Sequence, residues 1–307
     1  MKETITITVD KDLLEVMRDY YSHSLVNASG EYVDFQAENN NIIITAYLTK
    51  KERKKVVFVG ENASEEVRIW QPTVEAQEKK EKATKEAWMF FGDQIGSDEV
   101  GVGDFLGPMI VVAAFVGKND ISKLIELGVH DSKKMTDKKI LEIGPTLVKE
   151  FRFSKLTLPN EKYNEMLDKG ENLNSMKAKM HNRALLNMHK EYEDVLNIFV
   201  DQFVKEDTYY KYLNDAKEEQ VKDILFRTKG ESYFPSVALA SVIARYSYLK
   251  EMERLSEKYE MDFPFGASKK VTAFAVEFVK KYGEDELYKI AKKNFANYSE
   301  VIGYKLV

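Results

Sequence analysis

The chain has 307 residues, a length that suits one large domain or two unequal ones. Apolar residues make up 44% and charged residues 32% of the sequence, which is the balance of an ordinary globular protein. Cysteine is absent, and this excludes disulfides and thiolate-bound zinc or iron–sulfur centres. The net charge of −5 argues mildly against a nucleic-acid binder, although acidic residues that hold metal ions would lower the charge in the same way.

Targeting signals are not evident in the sequence. No apolar stretch approaches the roughly 18 residues that a membrane-spanning helix needs. The first residues, MKETIT, lack the apolar core of a secretion signal. Together with the absence of cysteine, which fits a reducing compartment, these features predict a cytoplasmic protein with no membrane partner.

The N-terminal segment has the pattern of a small α+β unit. Ile5, Ile7 and Val9 alternate with threonines, as in a half-buried strand. A helix is predicted from Asp10 to about Leu25, because Asp10 can cap it and apolar residues follow at helical spacing. Alternation and turn signals then predict a curved antiparallel sheet and a short helix, over residues 33–37, 42–48, 55–59 and 64–69.

A strongly charged stretch divides the chain. Residues 75–86, EAQEKKEKATKE, contain almost no apolar side chains, and this composition is typical of a linker or an exposed helix. The predicted domains are therefore residues 1–75 and 88–307, joined by a linker at 76–87. A basic cluster, Lys50–Lys55, lies in the first domain, and its composition fits a nucleic-acid contact or a solvated turn equally well.

The second segment alternates strands with helices. Strands are predicted near Gln94 and Met109 and over residues 152–158, 196–200 and 221–226. Helices are predicted over residues 175–193, 236–259, 269–282 and 284–294. This order predicts an α/β domain with a mixed sheet flanked by helices.

Acidic residues at strand ends are the most informative chemical feature. Asp98 and Glu99 follow an apolar strand and precede a Gly-x-Gly loop, and Asp201 ends a second apolar strand. A carboxylate there is costly unless something pairs with it, and divalent metal ions do so well. If the two strands are neighbours, the carboxylates converge at one edge of the sheet.

Such a cluster predicts a phosphodiester-cleaving site with two metal ions, which needs three or four carboxylates and no histidine. The four histidines show no metal-binding spacing, so each is expected to be an ordinary helix or loop residue: His23, His130, His181 and His189. The aromatic residues follow core-like spacing, and no base-stacking role is predicted for them.

Several motifs of the chain resemble those of type 2 ribonucleases H, specifically bacterial ribonuclease HIII. The first is GSDEVGVGDFLGP, residues 96–108. The others follow in order: Asp131-Ser132-Lys133-Lys134, Asn172-Leu173-Asn174, the run 181–185, the run 200–203 and the run 236–245. The N-terminal unit resembles, more loosely, the TATA-binding-protein-like domain of ribonuclease HIII, which ribonuclease HII lacks.

The resemblance implies a ribonuclease H-like catalytic domain that cleaves the RNA strand of RNA–DNA hybrids and leaves 5′-phosphate and 3′-hydroxyl ends. It implies two Mg²⁺ or Mn²⁺ ions, with Asp98 bridging them. Glu99 would bind one ion and hold the ribose 2′-hydroxyl, and Asp201 would be the third ligand.

The fourth carboxylate is less directly indicated. Ribonuclease HII has an aspartate shortly after the ASVIAR helix segment, where this chain has Leu249. Glu231 resembles the glutamate that ribonuclease HIII uses instead, and we favour it. Asp104, Glu206 and Asp207 are the alternatives; Asp104 is expected to face solvent.

Substrate contacts are also implied. The loop Gly101-Val102-Gly103 lacks the arginine of the ribonuclease HII loop, so we expect a preference for runs of ribonucleotides over a single embedded one. Backbone amides of the turn can still donate to ribose hydroxyls. Further substrate-binding candidates are Ser132, Lys133 and Lys134, which suit phosphate contacts, and Asn172, Asn174 and Asn182, which suit the hybrid groove.

Two other functions stay open from the sequence alone. One is a ribonuclease HII-like enzyme of ribonucleotide excision, and the other is a non-catalytic nucleic-acid-binding protein on a nuclease scaffold. The expected partner is an RNA–DNA hybrid duplex, and a monomer is expected. The choice between Mg²⁺ and Mn²⁺ stays open because oxygen ligands suit both.

Overall fold

The computed structural model describes residues 2–9, 11–28, 30, 32–48, 54–70, 88–89, 92–129, 135–214 and 218–303. The chain divides into two compact units, residues 1–85 and 86–307. The predicted linker 76–87 lies outside the described residues, so its limits stay a prediction.

The first unit is an antiparallel sheet with two helices. Its elements are β1 (Glu3–Val9), α1 (Lys11–Tyr20), a 3₁₀ turn (Ser22–Ser24), β2 (Leu25–Val26), β3 (Val33–Asn39), β4 (Ile42–Tyr47), β5 (Lys54–Gly60) and α2 (Ala63–Trp70). The strand order is β1-β5-β4-β3-β2, with antiparallel pairing throughout. The predicted first helix ends early, at Tyr20, because Leu25 and Val26 pair with β3 instead.

Alternating side chains bury one face of this sheet. Ile7, Phe35, Ile44 and Phe58 are buried, as the period-two pattern predicts. A buried polar cluster joins the residue that follows α1 to α2, since the Tyr21 hydroxyl donates to Glu66 (2.6 Å) and accepts from the Trp70 indole (2.8 Å).

The second unit contains a mixed sheet. Its strands are β6 (Gln94–Val100), β7 (Met109–Val116), β8 (Phe153–Leu158), β9 (Asn197–Asp201) and β10 (Ile224–Arg227), in the order β10-β9-β6-β7-β8. The β6–β9 and β9–β10 pairs are parallel, whereas β6–β7 and β7–β8 are antiparallel. The predicted fold class, a mixed sheet flanked by helices, is confirmed.

Helices cover this sheet on both faces. They are α3 (Asp120–Leu127), α4 (Asp137–Glu150), α5 (Asn160–Asp168), α6 (Leu173–His189), α7 (Glu206–Leu213), α8 (Gly230–Tyr233), α9 (Pro235–Tyr259), α10 (Lys269–Tyr282), α11 (Glu284–Ile290) and α12 (Ala296–Gly303). Successive side chains of β7 point to opposite faces of the sheet and are buried on both. Val112 packs with Ile243 of α9 on one face, and Val111 packs with Leu185 of α6 on the other. The strand is therefore apolar throughout.

Close packing places the start of α9 directly on β6. A Cβ atom at Gly96 would lie 2.3 Å from the backbone nitrogen of Val237, so only glycine permits this approach. The same contact carries Ser241, one turn further along α9, toward the end of β6.

The last predicted helix is shorter than expected. It ends at Ile290 rather than near Asn294, because Ala291 forms a β-bridge with Leu106 and the chain turns inward. None of the helices in the described part of the chain has the length and apolar character needed to span a membrane.

Candidate active site

Two parallel strands bring the predicted carboxylates together. Ser97 of β6 pairs with Val200 of β9, so the next residues, Asp98 and Asp201, lie at the same end of neighbouring strands. Asp98 is 4% exposed and Asp201 is half-buried. The convergence predicted from the strand ends is therefore present.

Glu231 joins this pair from the short helix α8. It is only 1% exposed, which is unusual for a glutamate. Its position follows from the preceding residue, since the backbone N–H of Gly230 donates to Asp201 Oδ1 (2.9 Å). The loop between β10 and α8 thus fixes Glu231 next to the end of β9.

Asp98 is the electrostatic centre of the group. Burial raises its pKa well above the usual range, and the charges of Glu99, Asp201 and Glu231 raise it further. A hydrogen bond with Ser241 acts in the opposite direction. Three acidic side chains from β6, β9 and α8 therefore surround the buried carboxyl group of Asp98.

Glu99 is held by two basic residues of α6. Its carboxylate forms an ion pair with Lys177 and contacts His181 Nε2 (2.8 Å), residues that are one helical turn apart. Burial favours the protonated carboxyl, but His181 and Lys177 outweigh it and lower the pKa of Glu99. The other histidine nitrogen, Nδ1, lies 2.6 Å from Ser97 Oγ.

His181 was expected to be an ordinary helix residue, and the structure corrects this. It is fully buried and bridges Ser97 and Glu99, while its ring stacks on Phe203 (centroids 5.3 Å apart). Lys177, which was not identified from the sequence, has its Nζ 3.9 Å from the centroid of the Phe203 ring. The i, i+4 spacing of Lys177 and His181 is the one signal that could have paired them.

A cleft of about 250 Å³ opens beside the carboxylates. Its lining includes Asp98, Glu99, Ser241 and Arg245. The Arg245 guanidinium makes two hydrogen bonds of 2.9 Å to Asp137, which orients a positive group toward the cleft rim. Acidic and basic groups thus line one concave surface.

The residues present suit divalent metal ions. Among the described residues, no three Asp, Glu or His side chains are spaced as a closed metal-binding group, and Glu99 faces Lys177 and His181. However, Mg²⁺ usually keeps several water ligands and takes only one or two carboxylates directly. The mutual repulsion around Asp98 is of the kind that cations relieve, so the donor set fits such ions.

The Gly-Val-Gly loop follows the acidic pair. Gly101 has φ +82°, and a Cβ there would lie 2.3 Å from the Pro108 carbonyl oxygen. Gly103 is exposed, and a Cβ there would meet no atom within 4 Å. Gly101 therefore shapes the turn, while Gly103 leaves backbone open to a ligand. Val102 packs against the cluster around Met109.

Five of the other substrate-binding candidates are neither confirmed nor contradicted by the structure. Ser132, Lys133 and Lys134 lie outside the described residues. Asn172 caps α6 by accepting a hydrogen bond from Ser175 N (3.0 Å) and is exposed, and Asn174 is half-buried; their substrate contacts stay predictions.

Asn182 requires a correction. It is 1% exposed, donates to the Glu219 carbonyl (2.8 Å) and accepts from Val221 N (2.9 Å). Its amide anchors the segment before β10, so its role is structural and not a substrate contact.

The three alternative metal ligands considered from the sequence are Asp104, Glu206 and Asp207. Asp104 does not simply face solvent as expected, because it is half-buried and accepts a hydrogen bond from Gly266 N. Glu206 and Asp207 are exposed in the first turn of α7. Leu249, at the position where ribonuclease HII has its aspartate, is buried in the core.

Comparisons with known proteins agree with this architecture. A family model described as Ribonuclease HII matches residues 95–298, and one described as a domain of unknown function matches residues 4–83. The sheet, the acidic site and the first match define the class: the protein is a ribonuclease of the ribonuclease H type.

More similar relatives narrow this assignment. Ribonuclease HIII of Bacillus cereus strain AH187 is 38% identical over 306 residues, 97% of each chain, and that of Bacillus thuringiensis is also 38% identical with the same coverage. The crystal structure of Bst-RNase HIII in complex with Mn²⁺ has a TM-score of 0.67 at 32% identity and covers 98% of this chain and 99% of its own. The chain belongs to the ribonuclease HIII family. The ribonuclease H2 of Pyrococcus horikoshii shares the fold, with a TM-score of 0.55 at 21% identity over 69% of this chain and 98% of its own.

Proposed function

We propose that this ribonuclease cleaves the RNA strand of RNA–DNA hybrids internally, leaving 5′-phosphate and 3′-hydroxyl ends. The observation that carries the proposal is the meeting of Glu99, Asp201 and Glu231 around buried Asp98. Two Mg²⁺ or Mn²⁺ ions would be held by these four residues. The Mn²⁺ bound to the related Bst-RNase HIII supports an ion of this kind.

The carboxylates and the ions have distinct tasks. When bound, the two ions supply an activated water nucleophile and stabilise the charge on the leaving 3′ oxygen. Asp98, which has the other three acidic groups as neighbours, would be shared between the two ions. Glu99 is kept ionised by Lys177 and His181, so its oxygens can accept a hydrogen bond from a ribose 2′-hydroxyl.

Substrate choice follows from the loop. The Gly101–Gly103 turn offers backbone N–H groups to ribose hydroxyls but has Val102 where ribonuclease HII has arginine. We therefore expect runs of ribonucleotides to be preferred over one embedded ribonucleotide. Recognition of shape and 2′-hydroxyls makes cleavage independent of sequence.

The N-terminal unit would add affinity for the hybrid, in the manner of a TATA-binding-protein-like domain. Its helix-free face carries exposed Lys55 next to Tyr47, which pairs with it across β4 and β5. Residues 50–53 of the basic cluster lie outside the described residues. Lysine contacts to phosphates would make binding salt-sensitive. A monomer in the cytoplasm completes the proposal.

Cleavage assays with three substrates test this function. An RNA–DNA hybrid should be cut with Mg²⁺ or Mn²⁺ and not with EDTA, and the Asp98→Asn variant should be inactive. Binding without cleavage would instead support the non-catalytic alternative. A duplex with one embedded ribonucleotide should be cut poorly, and equal cleavage would favour ribonuclease HII-like excision; double-stranded DNA is the negative control.

The Val102→Arg variant isolates the contribution of the loop. It restores a guanidinium between the two glycines, and we expect it to increase incision at the single ribonucleotide relative to the hybrid. The Val102→Leu variant, which keeps an apolar side chain, is the matched control.

A further inference from the structure

Lys292 is a buried lysine that the proposed chemistry does not use. It follows α11 and is 0% exposed. Its Nζ donates to the carbonyl oxygens of Asp104 (2.8 Å) and Gly107 (2.6 Å). Its backbone N–H donates to the carbonyl oxygen of Phe105 (2.9 Å). One residue therefore binds three of the four carbonyls in the segment 104–107, which we name the anchored segment.

Three further backbone groups of the anchored segment are also hydrogen-bonded. The Leu106 carbonyl accepts a hydrogen bond from the Tyr248 hydroxyl (2.9 Å). The N–H of Phe105 donates to Gly266 O (3.0 Å), and that of Gly107 donates to Ile290 O (2.9 Å). The backbone is thus fixed from α9, from the loop before α10 and from the end of α11.

The anchored segment begins immediately after Gly103. Gly101 is constrained on the other side by its positive φ and by Pro108 O, whereas Gly103 is exposed with open space around it. The position of the open turn thus depends on the residues that hold its two ends.

We propose that Lys292 is a positioning residue for substrate binding, which acts by fixing residues 104–107 so that the Gly101–Gly103 turn presents its backbone to the ribose. This inference rests on the proposed function, specifically on the substrate role of that turn. It assigns a task in substrate binding to the C-terminal part of the chain, far from the acidic residues in sequence.

The chemistry of the site suits an amine. Burial lowers the pKa of Lys292 to about 7, although the Asp104 carboxylate acts in the opposite direction. A neutral amine keeps two N–H groups, which equals the number of carbonyls that Nζ contacts. Methionine has a similar length and no donor, so it would fill the space without holding the anchored segment.

The Lys292→Met variant tests the proposal against Lys293→Met. Lys293 is the adjacent residue and forms a surface ion pair with Asp168, away from the anchored segment. For the hybrid, we expect Lys292→Met to raise KM about tenfold, the effect of losing two buried hydrogen bonds, while kcat changes less than about twofold. Lys293→Met should leave both constants unchanged. An unchanged KM in a folded Lys292→Met variant would overturn the proposal.

Two further measurements cover other outcomes. If Lys292→Met does not fold, Tyr248→Phe removes a single donor from the anchored segment. It should raise KM about threefold, the effect of one hydrogen bond, and an unchanged KM would refute the proposal.

If the wild-type enzyme does not cleave hybrids, the proposed function fails by itself. Amide hydrogen exchange at Phe105 and Gly107 then tests the anchoring independently. Exchange should be faster in Lys292→Met than in Lys293→Met, and equal rates would overturn the inference.

Discussion

Asp98 is a carboxyl group whose ionised form is unfavourable in the folded chain. Burial and three acidic neighbours raise its pKa above that of aspartate in an unfolded chain. At pH values between the unfolded-state and folded-state pKa values, the folded state therefore binds more protons than the unfolded state. Stability therefore falls as the pH rises through that window. Without metal at neutral pH, this residue costs the fold free energy.

The Asp98→Asn variant should consequently be inactive but more stable. We expect the free energy of unfolding in EDTA at pH 7 to rise by about 1 kcal/mol, a size typical of relieving a functional-site conflict. Thermal or urea unfolding measures this, with exposed Asp262→Asn as the control. A less stable Asp98→Asn variant would contradict the electrostatic account of the site.

Lys292 gives a pH dependence of the opposite sign. Its pKa falls from about 10.5 in an unfolded chain to about 7, so between these values the unfolded state binds one more proton. The stability of the wild type should rise with pH across this range relative to Lys292→Met, by at most about 1.4 kcal/mol per pH unit. Urea unfolding at pH 7.5 and 9 measures it, and parallel pH profiles would show that the amine stays charged.

Sequence reasoning at this scale identified residues whose chemistry is visible in their type and position. Asp98 and Asp201 follow apolar strands, and that pattern predicted their convergence. The i, i+4 spacing of Lys177 and His181 could have paired these two residues with each other, but their contact with Glu99 depends on how α6 packs across β6. Asn182 was misassigned because an amide suits a substrate contact as well as it suits the structural anchor that it provides.

At the scale of elements, the two glycines of the loop should differ in their tolerance of alanine. Gly101→Ala introduces a Cβ into contact with Pro108 O at a positive φ, and should cost about 2 kcal/mol of stability. Gly103→Ala meets open space and should change stability by less than about 0.5 kcal/mol.

The substitution that costs less stability should affect substrate binding directly. Gly103→Ala should raise KM for the hybrid in a normally folded enzyme, because its methyl group blocks close approach of the ribose. Melting temperatures and steady-state kinetics on both variants check this. Equal stability of the two variants would contradict the structural assignment of Gly101.

Elements with strong periodicity were predictable, and those defined by distant partners were not. The helix Lys269–Tyr282 has the predicted bounds, and the strands β6, β7 and β9 lie where expected. Several short helices, among them α3, α5, α7 and α12, were not predicted. Helix α11 ends early because Ala291, the residue after it, forms a β-bridge with Leu106. Local sequence does not encode such long-range pairing.

At the scale of the whole molecule, we expect the first unit to contribute to substrate binding and the second to carry the chemical step. Removing residues 1–85 should raise KM for the hybrid about tenfold or more while kcat stays within about threefold, since the acidic site lies in the second unit. The truncated enzyme should also show a smaller dependence of KM on salt, because lysine–phosphate contacts are lost.

Kinetics at several KCl concentrations measure both effects. A Lys54→Ala and Lys55→Ala double variant of the full chain is the milder control, and it should reproduce part of the lost salt dependence. A truncated enzyme with the KM and salt dependence of the full chain would contradict a substrate-binding role for the N-terminal unit.

Metal binding by the acidic group is the most direct test of the account as a whole. Titration of the chain with Mn²⁺, followed by the electron paramagnetic resonance signal of free Mn²⁺, should show binding by the wild type. Binding should be strongly weakened in Asp98→Asn and in Glu231→Gln, and unchanged in Glu206→Gln. Equal Mn²⁺ binding by all four proteins would show that the buried carboxylates are not the metal site and would contradict the account.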